Sequence, residues 1–94
     1  MRRAAKVDDN QREIVLALRA AGCSVLSLAS IGKGAPDLLV GRGNANYALE
    51  VKDGKKSPSK RKLTPDEEAF HSGWRGHLVV VENVEDALKA VGVL

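Results

Sequence analysis

Apolar residues recur at helical spacing early in the chain and at alternating spacing in its middle. Over residues 9–21, Ile14, Leu18 and Ala21 fall on one stripe with Arg12 and Arg19 opposite, which predicts a helix ended by Gly22. A first strand is expected near residues 25–29. Residues 38–40 and 47–51 are short branched and apolar runs, and Gly41-Arg42-Gly43-Asn44 between them carries turn chemistry, so a β-hairpin is expected. A second helix is expected from Thr64 to about Ser72, stopping at Gly73. The continuous apolar run at 78–81 predicts a strand buried on both faces, and Asn83 then caps a last helix over 84–91, before Gly92. The order α-β-β-β-α-β-α predicts an α/β sandwich with a mixed sheet, its last strand reached by a crossover that favours parallel pairing. Nothing divides residues 1–94, so one domain is expected.

The hairpin has a chemical consequence. With Gly43-Asn44 as a two-residue turn, Asp37 lies opposite Glu50. Alternation then puts Ala48, Glu50 and Lys52 on one face and Tyr47, Leu49 and Val51 on the other. Moving the turn to Asn44-Ala45 pairs Asp37 with Lys52 instead and keeps the three charged side chains together. An odd-length loop or a bulge would separate them. Oxygen ligands of this kind suit hard cations such as Mg2+ or Mn2+ rather than zinc. A bound ion acidifies water and offsets charge on a phosphate, and the compact Lys52 cation would orient the water or steady the phosphorus. The plainer reading is a surface hairpin with a cross-strand ion pair.

Gly34-Ala35-Pro36-Asp37 followed by Glu50-Val51-Lys52 resembles the signature of the PD-(D/E)XK nucleases, with the stand-alone VRR-NUC type found in phages as the nearest likeness. The likeness continues through the acidic Glu13, the Leu63-Thr64-Pro65 helix start and a final strand and helix. It implies a restriction-endonuclease-like α-β-β-β-α-β core with a central mixed sheet flanked by helices. It also implies that Asp37, Glu50 and the carbonyl of Val51 bind Mg2+ or Mn2+, and that cleavage leaves a 5'-phosphate and a 3'-hydroxyl. Homodimers are common among the resembled nucleases.

Two acids stand apart. The resembled family usually has glutamine where this chain has Glu67. Thr64-Pro65-Asp66-Glu67 has the form of a capping box, the favoured role, with a supporting metal or water contact as the other. Glu13 sits at the edge of the apolar stripe near Ala17 and Ala20, so it reads equally as a solvated carboxylate or as a group reaching the metal cluster. Gln11 gives no clear signal.

Composition bounds these readings. The chain has 94 residues, is 44% hydrophobic and has three aromatic residues, Tyr47, Phe70 and Trp74, so a small aliphatic core is expected. A base-stacking aromatic platform is not. No apolar run has the length of a membrane span, and the basic start at residues 1–3 lacks a signal peptide's apolar stretch, which points to the cytoplasm, a host's if the protein is phage-encoded. Cys23 reads as a small core residue, His71 and His77 as surface or capping residues, and Trp74 as a core residue more than a contact surface.

Charge is concentrated. Residues 53–62 hold Lys55, Lys56, Lys60, Arg61 and Lys62 against the single acid Asp53, while the rest of the chain has ten basic and eleven acidic residues. This loop follows Lys52, where a nucleic-acid backbone would pass to reach the metal, and Ser57-Pro58-Ser59 within it predicts mobility. The expected partner is duplex or branched DNA held through phosphates, with a homodimer as the assembly. The expected function is a metal-dependent endonuclease, and the resemblance implies that structure-selective cutting of flaps or four-way junctions is open to it. A non-catalytic DNA-binding module is the alternative, and a protein-contact role in packaging or recombination a third.

Overall fold

The computed structural model describes residues 8–94; the basic start at residues 1–3 lies outside them. The elements are α1 (Gln11–Ala20), β1 (Ser24–Ser27), β2 (Leu38–Arg42), β3 (Ala45–Val51), α2 (Pro65–Gly73), β4 (Leu78–Val81) and α3 (Val84–Ala90), with a single 3-10 turn at Pro58–Lys60. The sheet runs β1-β2-β3-β4, antiparallel except for the parallel β3-β4 pair. The mixed sheet and the crossover are therefore as expected. β1 starts a residue earlier and stops two residues sooner than the sequence predicts.

The hairpin is set by its turn. Gly43 (φ 58°) and Asn44 (φ 67°) both occupy the left-handed region, the requirement of a two-residue turn whose twist matches the strands. Leu38 consequently faces Leu49, and Arg42 faces Ala45. Alternation sends Leu38, Val40, Leu49 and Val51 to one side, where they join Ile14 and Leu18 of α1, Val81 of β4 and Ala87 and Val91 at α3 in an aliphatic core that also takes in Cys23. Each fully buried Leu, Ile or Val contributes about 1.5–3 kcal/mol relative to its exposed state. The opposite side of β3 carries Glu50, with Lys52 just past the strand's end, and Glu67 and His71 of α2 meet them there.

α2 has no buried residue. Its N-terminus is held by a capping box, with Thr64 Oγ1 accepting from Glu67 N–H at 3.2 Å and Glu67 Oε1 accepting from Thr64 N–H at 2.9 Å. Gly34 (φ 81°) lies against the first turn, where an added Cβ would overlap the Asp66 carbonyl.

Three expectations fail here. β4 is an edge strand that buries only its last residue: Val81 is buried, but Val79 on the same face and Val80 on the other are both exposed. An apolar run cannot distinguish a central strand from an edge. Trp74 is half exposed and stacks on Phe70 with ring centroids 5.3 Å apart, outside the core. The segment after β3 is pinned rather than loose: Lys60 N–H donates to Ser57 O at 2.9 Å, Arg61 N–H to Pro58 O at 3.1 Å, and Arg61 Nε to Lys56 O at 2.9 Å.

Candidate active site

Asp37 sits at the foot of β2, where the ladder is offset by one residue. Its N–H donates to Leu49 O at 3.1 Å, and its Oδ2 takes the place of a ladder carbonyl by accepting from Val51 N–H at 2.7 Å. That bond carries the Asp37 side chain onto β3. Because N–H and C=O of one strand residue face the same neighbour, Val51 turns its carbonyl toward the same edge. The next carbonyl, that of Lys52, accepts instead from Asn10 Nδ2 at 3.2 Å.

Asp37, Glu50 and Lys52 line one cavity of about 350 Å³ together with Asp8, Lys33, Gly34, Thr64 and Glu67. All three are buried, Glu50 most of all at 2% exposure. Two carboxyl groups this close, away from water, do not both ionise readily. Burial, the hydrogen bond with Asp37 and repulsion from Asp37 and Glu67 push the Glu50 carboxyl up, to about 10. Burial also raises Asp37, against the opposing hydrogen bonds from Glu50 and Val51 N–H. The neutral form of the Glu50 carboxyl is therefore favoured at neutral pH, and a divalent cation could take its proton's place.

Lys52 is oriented by Glu67. Nζ donates to Glu67 Oε1 at 2.8 Å and lies 3.9 Å from Glu50 Oε2. Burial alone would lower the ammonium's pKa, but the Glu67 hydrogen bond and the charges of Glu67 and Glu50 hold it above its ordinary value. Glu67 remains ionised: burial works against this, and the bonds from Lys52 and Thr64 N–H outweigh it. One carboxylate oxygen thus both caps α2 and aims the lysine, so the capping and site-supporting readings of Glu67 are compatible.

Two groups that the sequence did not single out belong here. Asp8 lines the cavity and Glu13 does not; Glu13 is exposed beside Asp9, Asp53 and Lys55 in a separate groove of about 480 Å³. His71, expected at the surface, is partly buried, and its shielded Nε2 lies 3.8 Å from Glu50 Oε1. Burial pushes its imidazole down from the usual range, with Lys52 adding to the effect and Glu67 opposing it. A histidine four residues after Glu67 on one helix is a spacing that could have flagged it.

The basic residues divide. Arg61 Nη1 bonds to both Glu82 oxygens at 3.1 and 3.2 Å, and Lys56 Nζ lies 3.6 Å from Asp8 and 3.9 Å from Asp9. Lys55, Lys60 and Lys62 are exposed.

Among the described residues, no three His, Cys, Asp or Glu side chains converge on a metal position. Two carboxylates with a strand carbonyl nearby fit a hard cation that keeps several waters, as Mg2+ does.

The family model of the archaeal Holliday junction resolvases (Hjc) matches residues 2–69. The chain belongs to this family. The Hjc match places it among PD-(D/E)XK-type nucleases, and its mixed sheet with flanking helices is a restriction-endonuclease-like core. The matched stretch contains Asp37, Glu50, Lys52, the basic loop and Glu67; His71, β4 and α3 lie beyond it. No curated protein and no solved structure matches the chain. No described helix is long and apolar enough to cross a membrane.

Proposed function

We propose that this protein is a divalent-metal-dependent endonuclease that cuts branched DNA, four-way junctions first and flaps second. The observation that carries this reading is the buried Asp37–Glu50 pair sharing one cavity with Lys52. The Hjc family supports a junction as substrate. Asp37, Glu50 and the Val51 carbonyl would hold Mg2+ or Mn2+. When bound, such an ion lowers the pKa of a coordinated water and offsets charge on the phosphate.

The chain's own residues do the rest. Val51 N–H fixes the Asp37 carboxylate against β3. Lys52, aimed by Glu67, supplies a proton donor and a positive charge at the cavity wall, where the attacking water and the phosphate would meet. Lys55, Lys60 and Lys62 face solvent just beyond β3 and would take the DNA backbone. Glu67 in place of glutamine does not argue for lost turnover, since its carboxylate holds Lys52 in position.

A junction presents paired strands to cut while one chain carries one such site, which favours a homodimer as the active form. DNA as substrate favours the cytoplasm.

The test is cleavage of four-way junction, flap, duplex and single-stranded DNA in Mg2+, Mn2+ and EDTA. Metal-dependent cutting of branched substrates is expected, abolished by Asp37→Asn and by Lys52→Ala with binding retained. Tight junction binding without cutting in either metal would replace this reading with a non-catalytic module.

A further inference from the structure

Glu50 has one oxygen on each side of the site. Oε2 lies toward Lys52, which lines the cavity. Oε1 lies toward His71, which does not line it; His71 stands behind Glu50. Both Glu50 Oε1 and His71 Nε2 are buried and have no hydrogen-bond partner among the described residues. Leaving two such groups unpaired is costly, and here they face each other at 3.8 Å. That gap exceeds a direct hydrogen bond by less than 1 Å and is too short for a bridging water, which needs roughly 4.5 Å or more between its two partners.

We propose that His71 is a positioning residue: its Nε2–H closes onto Glu50 Oε1 and holds that carboxylate with Oε2 presented to the metal. This rests on the metal-binding reading of the Asp37–Glu50 pair. A carboxylate that ligates through one oxygen keeps charge on the other, and in a dry site that second oxygen needs a donor. Among the described residues His71 is the one whose ring reaches Oε1. The imidazole is carried by α2, the helix whose Glu67 aims Lys52, so one helix sets both the lysine and the glutamate. A shift of α2 toward the sheet by less than 1 Å would complete the contact.

The test is Mn2+ titration of the metal-free protein by calorimetry, with melting temperature followed in parallel. His71→Phe should weaken Mn2+ binding about tenfold or more, the usual effect of losing a ligand's supporting partner. His71→Gln, which keeps a donor, should recover most of the loss, and the metal-free melting temperatures should not track the binding. Should His71→Phe fail to fold, His71→Met against His71→Gln reads the same difference. Glu50→Gln serves as the reference for ligand loss. Unchanged Mn2+ affinity in His71→Phe or His71→Met, with Glu50→Gln impaired, would overturn the proposal alone. Wild-type protein that binds no Mn2+, or a Glu50→Gln variant that binds it as well as wild type, would overturn the metal reading and this proposal together.

Discussion

Glu67 Oε1 accepts hydrogen bonds from Lys52 Nζ at 2.8 Å and from Thr64 N–H at 2.9 Å. One oxygen ties the end of the hairpin to the start of α2, a helix that buries none of its own residues. Mutation can separate the capping of α2 from the aiming of the lysine. Thr64→Ala removes only the Oγ1 that accepts from Glu67 N–H and leaves both bonds to Oε1, so it should cost about 1 kcal/mol of stability, lower the melting temperature by several degrees and leave cleavage by the folded protein near wild type. Glu67→Ala removes both and should also slow cleavage, by about tenfold. Glu67→Gln, which retains an acceptor oxygen, should fall between them. Thermal melts and single-turnover cleavage measure the two effects.

Glu50 makes the metal-free protein pH-sensitive. A carboxyl raised on folding binds its proton more tightly in the folded chain, so its favourable contribution is complete below the ordinary value of 4.5 and is lost as pH rises toward about 10. Asp37 shifts in the same direction. In EDTA the melting temperature should therefore fall as pH rises from about 5 to about 9. Glu50→Gln should flatten that slope and stabilise the metal-free protein at neutral pH by about 1–3 kcal/mol, while eliminating cleavage. A steeper loss of stability in Glu50→Gln would contradict the assignment.

The basic loop should split into two classes. Arg61→Ala breaks the paired bonds to Glu82 and should lower the melting temperature. Lys60→Ala and Lys62→Ala should leave it unchanged and weaken junction binding, each reducing the slope of log affinity against log salt by about 0.9. Fluorescence anisotropy across a salt series distinguishes the classes.

Gly34→Ala should be among the most damaging small substitutions. The backbone there has φ 81°, and the new Cβ would overlap the Asp66 carbonyl. A loss of at least about 2 kcal/mol is expected, together with slower cleavage, because the displaced first turn of α2 carries Glu67. Melting and cleavage measured on the same preparation would check both.

What sequence reasoning captured was governed by neighbours in the chain. Gly43-Asn44 admits few turns, so it dictates the hairpin register from Arg42–Ala45 to Leu38–Leu49 and brings Asp37 to the end of β3, where its side chain bonds to Val51 N–H. Thr64, Pro65 and Glu67 form a cap because the N–H groups of a first helical turn need acceptors wherever the helix lies. The losses came where the partner is distant. Glu13 satisfied the helical pattern, yet it faces a separate groove, and Asp8, ahead of the start of α1, lines the cavity in its place. Lys56 and Arg61 looked free until Asp8 and Glu82 were brought beside them.

The residue types and the Gly43-Asn44 turn thus put Glu50 and Lys52 on one face without any coordinates, because alternation along a strand is a short-range constraint, while the offset at Asp37 decided how its carboxylate joins them. Tertiary packing alone decided that Val79 and Val80 lie exposed on an edge, that Trp74 stays outside the core, and that His71 stands behind Glu50. Those outcomes depend on which surface each helix covers, and an apolar run or a lone histidine is compatible with either side of that choice.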